Sequence, residues 1–169
     1  MTDPAQHLTR VRLLNDAGRH DEALRALAAV LAQAPDAPDV LGELARTLLG
    51  RGDLQQALHT ARALGQQAPS WYYGPYLAAL TLHRLKDFAG AVAAAREAIR
   101  RAPDNPACHR ALAWAASDLP GSASLALQAA THAVALEPHN AQNHLCVGTA
   151  ALDLDRATAE RAFAEALRL

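Results

Sequence analysis

The sequence predicts an all-α fold, a solenoid of about five helix-turn-helix repeats of 34 residues. Three observations carry this reading. Pro35, Pro69, Pro103 and Pro138 recur at intervals of 34, 34 and 35 residues, the range in which stacked supersecondary units repeat. Alanine, the strongest helix former, makes up about a quarter of the chain. Runs of Val, Ile and Thr that would form strands are absent.

The stretch Ser70 to Pro103 shows the plan most plainly: a helix, a short turn at Lys86-Asp87, a second helix and a closing proline. The same plan places repeats at about 4–37, 38–71, 72–105, 106–140 and 141–169, one array over residues 1–169 with no second domain. In the first repeat Asp3-Pro4 is a cap and first-turn proline, and Leu8, Val11 and Leu14 follow at helical spacing. Gly18 ends that helix, Asp21-Glu22 puts acids where the next helix dipole favours them, and Ala23, Leu24, Leu27, Val30 and Leu31 form a buried stripe. In the second repeat Pro38 opens the first helix, Leu41, Leu44, Ala45 and Leu48 face inward, and Gly50 to Asp53 turns the chain. Ala57, Ala61 and Leu64 follow on its second helix. Leu77, Ala78, Ala79 and Leu82, then Ala91, Ala95, Ala98 and Ile99, fill the same places in the third. Asn105-Pro106 starts the fourth, whose turn around Gly121 carries one extra residue. The fifth has Leu145, Val147, Gly148 and Ala151, a turn near Asp155, and Ala159, Phe163 and Ala166.

Composition narrows the function classes. The formal net charge is −1, with 16 basic and 17 acidic residues interspersed, so no basic face for nucleic acid is predicted. No apolar run is long enough to span a bilayer, so this segment is not expected to insert in a membrane. The start MTDPAQHLTR lacks a signal-peptide pattern, and with two cysteines the expected location is the cytoplasm. Cys108, His109, His139, His144 and Cys146 fit no zinc spacing, and a lone helical cysteine behaves as a small buried hydrophobe. There is no Gly-rich phosphate loop, nucleophile elbow or HExxH, so neither an enzyme site nor a cofactor or metal is predicted.

The chain resembles the tetratricopeptide repeat family. The matches are Leu44-Ala45 with Leu48, Ala78-Ala79 with Leu82, Leu112-Ala113 with Ala116, and Val147-Gly148 with Ala151. The second helices match through Ala23/Leu27, Ala57/Ala61, Ala91/Ala95, Ala126/Ala130 and Ala159/Phe163. Most of the family's usual aromatics are replaced here by Ala or Leu, and Arg10-Val11 makes the first repeat the weakest match. The resemblance implies antiparallel helix pairs wound into a right-handed superhelix, with each first helix lining a concave ligand-binding face.

Mapped onto that face, the candidate peptide-binding residues are Arg46, Tyr73, Tyr76, Leu80, His83, Arg84, Arg110 and Trp114. Leu8, Arg12, Asp16, Asp39, Asp118, Leu145 and Asp153 complete the row. Tyr76 with Arg110, and Leu80 with Trp114 one turn on, are expected to form one patch. Arg110 and Trp114 would be its anchors, replaceable without loss of helicity or melting temperature. Arg84 and Asp118 are expected to neutralise each other across neighbouring helices, and a self-paired polar face is the plainer alternative. The cluster Trp71 to Tyr76 holds four of the seven aromatics and reads equally as packing or as interface. Some family members clamp a chaperone's C-terminal carboxylate with Lys, Asn, Asn, Lys and Arg, and no register of this chain supplies that set.

The predicted function is a non-catalytic protein-protein interaction scaffold, binding a peptide segment of an unidentified partner protein in the concave groove. One alternative is the regulatory or targeting part of a longer enzyme or membrane-anchored protein. Another is a homo-oligomeric structural unit, associating through a C-terminal repeat that ends at Leu169 without a polar capping helix.

Overall fold

A computed structural model describes residues 4–169, with side chains from Gln6 onward. The expected cap at Asp3 lies outside the described residues. Ten helices follow in order: α1 (Pro4–Asp16), α2 (His20–Leu31), α3 (Pro38–Arg51), α4 (Leu54–Gln67) and α5 (Tyr73–Arg84), then α6 (Phe88–Arg101), α7 (Pro106–Ser117), α8 (Ala123–Leu136), α9 (Ala141–Ala151) and α10 (Arg156–Arg168). No strand occurs among the described residues.

The helix ends follow from local chemistry. Pro38 and Pro106 occupy the first turns of α3 and α7, where no amide partner is needed. Asn105 and Asn140 are equivalent caps: their side-chain oxygens accept from the Ala107 and Gln142 amides, each at 3.0 Å. Asp87 accepts from the Gly90 amide at 2.9 Å, and Asp155 accepts from Ala157 and Thr158. The turns inside four helix pairs place one residue each in the left-handed region: Gly18 (φ 71°), Gly52 (φ 93°), Lys86 (φ 65°) and Gly121 (φ 77°). These are the turn positions the repeat spacing predicts. At three of them glycine enters that conformation freely, and at Lys86 a side chain bears its cost.

Each helix packs on the next, and each odd-numbered helix also touches the next odd one. Even-numbered helices make no such contacts with each other among the described residues. The odd helices therefore lie closer together and form the inner layer of the curve; the even helices form the outer layer. The result is an all-α solenoid. Its helix pairs close through small residues: Ala23, Ala57, Ala91 and Ala126 are fully buried and Ala159 is 1% exposed. One large apolar core runs from α3 to α10, while α1 and α2 share a smaller one with Val40.

Lys86→Gly removes a side chain from a left-handed turn without touching the core. It is expected to raise stability by about 1 kcal/mol and the melting temperature by about 2–4 °C, measured by circular dichroism. An unchanged or lower melting temperature would mean that the lysine is not strained.

Candidate binding surface of the inner helices

At the N-terminal end the inner face is built from polar groups that satisfy one another. Glu43 is 5% exposed, yet carries a carboxylate on α3. Arg12 donates to it from α1 at 2.9 Å, Asn15 at 3.3 Å, and Arg46 stands 3.8 Å away. Asn15 also donates to Thr47 at 3.0 Å, and its oxygen lies 3.3 Å from His20 Nδ1. Arg46 donates to Asp16 across the same gap. This polar seam joins the two apolar cores. Arg12, Asp16 and Arg46 are thus engaged with neighbours, as the self-paired alternative anticipates.

The middle of the face is aromatic. Tyr73 and Tyr76 stack with ring centroids 5.9 Å apart, Tyr72 stands edge-on to both, and Trp71 lies 5.2 Å from Tyr73. Gly42 on α3 makes this approach feasible, since a Cβ there would sit 3.1 Å from the Tyr73 ring. The rings therefore pack against the main core and also present a surface. Tyr72, Tyr73, Tyr76 and Leu80 line a hollow of about 470 Å³ with Arg46, His20, Leu49 and Ala107. Packing and exposure are combined in the same cluster. Burial holds the Tyr73 phenol neutral, raising its pKa to about 12, and raises that of Tyr76 also.

Other candidates are placed differently. His83, not Arg84, meets Asp118, at 2.6 Å, while resting against Phe88. Arg84 reaches back instead to donate to the Leu49 carbonyl. The expected Arg84–Asp118 pair is corrected accordingly: the shorter histidine, one residue earlier, already points along the helix end. Arg110 is drawn down onto α9, donating to Asn143 Oδ1 at 2.8 Å with Glu137 3.9 Å away. Its side chain is 13% exposed and its Nε has no acceptor. Trp114 is half-buried against the core. Arg110 and Trp114 are not among the residues that line the tyrosine hollow. Truncating either would also remove packing, contrary to the expectation of unchanged melting.

Sequence reasoning missed Asn143. It is fully buried and donates to the Ala133 and Glu137 carbonyls at 2.9 Å each, tying α9 to the end of α8. The signal was available: one period earlier the same place holds Cys108, and before that Gly74. A polar residue at a buried repeat position needs partners. The Glu43–Asn15–Thr47 network carries a weaker signal of the same kind. Cys108 and Cys146 are buried, and burial pushes the Cys108 thiol up to about 12. Among the described residues no group of three or more His, Cys, Asp or Glu side chains could hold a metal ion, and no helix is long and apolar enough to cross a membrane.

Residues 14–81 match the family model described as Tetratricopeptide repeat. Over that stretch, from the end of α1 into α5, the chain is similar to the tetratricopeptide repeat family. No curated protein sequence matches it. Among solved structures, a thermophilic TPR protein of Thermus thermophilus is similar at 24% identity, covering 98% of this chain and 91% of its own, with a TM-score of 0.87. MamA from Desulfovibrio magneticus RS-1 is similar at 22% identity, covering 100% of this chain and 96% of its own, with a TM-score of 0.75. At these identities the likeness shows the fold. Both neighbours share the helical-repeat fold seen here.

The raised phenol gives a pH prediction with a definite sign. The folded Tyr73 pKa lies above the unfolded value near 10, so its contribution is complete below pH 10 and is lost as pH rises to about 12. Chemical denaturation of Tyr73→Phe should show a smaller stability loss across that window than the parent chain. Equal losses would contradict the buried phenol.

Proposed function

We propose that the chain is an interaction scaffold that holds a peptide segment of a partner protein against the inner face of its first helices. The single observation that carries this reading is the tyrosine-lined hollow between α3 and α5. There three phenols and Leu80 converge with Arg46 and His20, an apolar floor beside the Arg46 guanidinium and the His20 ring. Tyr and Arg are the side chains that most often anchor interfaces, since each combines a large contact area with fixed hydrogen-bonding geometry. A segment offering one apolar side chain and one carboxylate fits this chemistry. Its carboxylate would compete with Asp16 for Arg46, an exchange at the surface that costs little. In this reading Arg110, Trp114, His83 and Arg84 flank the hollow and set the direction of the segment, and Tyr73, Tyr76, Leu80 and Arg46 anchor it.

The test begins with affinity capture and mass spectrometry to identify a partner, then titration calorimetry on the recovered segment. Tyr76→Ala is expected to weaken binding about thirtyfold, the loss of one central anchor of roughly 2 kcal/mol. Arg46→Ala is expected to weaken it less, and Arg62→Ala on the exposed outer surface of α4 should leave it unchanged. Binding that depends on Arg62 and is indifferent to Tyr76 would place the partner on the outer layer and overturn the reading.

A further inference from the structure

The outer layer carries a second surface that the inner-face reading does not use. Between successive even helices from α2 to α8 runs a groove floored by the odd helix beneath. The groove between α6 and α8 differs from the others in both size and charge. It measures about 700 Å³, against about 440 Å³ between α4 and α6 and about 460 Å³ between α2 and α4. Ile99, Leu112 and Leu125 supply its apolar surface. All its charged or titratable lining residues are basic: Arg96, Arg100, His109 and His132.

The repeat itself provides the comparison. In the α4–α6 groove, Arg62 and Arg101 are offset by Asp87 and Glu97. One period on, Asp87 is replaced by Ser122 and Glu97 by His132, while Arg100 takes the place of Gln66 and Leu136 that of Arg101, so the next groove keeps two arginines and loses both carboxylates. Arg96 and Arg100 are exposed along one wall. Arg96 has no carboxylate within ion-pair distance among the described residues, and Arg100 has only Glu97 of its own helix. Floor and opposite wall meet at two histidines: the His109 ring on α7 bonds the Pro103 carbonyl at 2.7 Å and lies tilted at 43° to His132 of α8, with centroids 4.3 Å apart. From Ala93 to Arg100 the groove runs for about two helical turns, roughly 10 Å.

We propose that the α6–α8 groove docks an acidic amphipathic helix of a partner protein, whose apolar stripe sits on Ile99, Leu112 and Leu125 and whose carboxylates face Arg96 and Arg100. Charge complementarity selects this occupant. A basic helix would meet two arginines of its own sign, and a purely apolar one would leave them facing unmatched surface. Helical spacing of apolar residues at i, i+3, i+4 and i+7 matches a groove whose walls are themselves helices.

The probe is a blocked, fluorescein-labelled peptide of about fifteen residues, with Leu at those positions and Glu and Ala elsewhere. Its counterpart has Lys for Glu. Fluorescence anisotropy at about 50 mM salt should show saturable binding of the acidic peptide, at least about tenfold tighter than the basic one. Arg96→Glu, at an exposed position that leaves the core intact, should weaken it at least about tenfold. Tyr76→Ala should leave it unchanged, which separates this surface from the inner face. Absence of saturable binding, equal binding of the two peptides, or indifference to Arg96→Glu would overturn the proposal. Sensitivity to Tyr76→Ala alone would overturn it too, by moving the peptide to the tyrosine hollow.

Discussion

Everything in this fold depends on how closely the two helices of each pair approach. Ala23, Ala57, Ala91, Ala126 and Ala159 stand at one repeat position, all but completely buried. Methyl groups there let the helix backbones come near enough for the neighbouring Leu and Ala side chains to interlock. Between α4 and α5 even a methyl is too large: a Cβ on Gly74 would lie 2.6 Å from the Gly65 amide nitrogen. Small residues at the seams fix the tilt of each pair, and the tilt sets which helices crowd together. The inner and outer faces are consequences of that choice.

The chemistry of the surface divides along the same line. The inner layer is polar where α1 meets α3 and aromatic where α3 meets α5. At the first of these sites Glu43, Arg12, Asn15 and Thr47 consume one another's hydrogen-bonding capacity, leaving little for a ligand. At the second, Tyr73 and Tyr76 stack on each other, pack against the core and also line the hollow. The outer layer is mostly charge-balanced or neutral, and the α6–α8 groove breaks that balance through the loss of both carboxylates from a repeated pattern. A solenoid offers such surfaces cheaply, because side chains outside the seams can change without altering the stack.

The repeat register made much of this legible from sequence. Pro35, Pro69, Pro103 and Pro138 each fall just beyond an even helix, and the left-handed turns recur one period apart at residues 18, 52, 86 and 121. Seam alanines and cap residues are local signals, and locality is what periodicity reports. The candidate site was legible only as a strip of neighbouring helices. Whether Arg84 or His83 meets Asp118, and whether Arg110 points outward or down to Asn143, depends on side-chain reach across repeats. Two long side chains one residue apart satisfy the same pattern and compete in space. That competition leaves no trace in spacing.

The central claim is that small seam residues hold the array together, and Ala91 tests it most directly. Ala91→Leu inserts three carbons into a fully buried contact in the middle of the chain, at an expected cost of about 1–3 kcal/mol. Ala89→Leu, two residues away and exposed, is its control. Hydrogen exchange read by mass spectrometry should show protection falling together across α5, α6 and α7 in the Ala91 variant and staying unchanged in the control. Undiminished protection in the Ala91 variant would contradict the account.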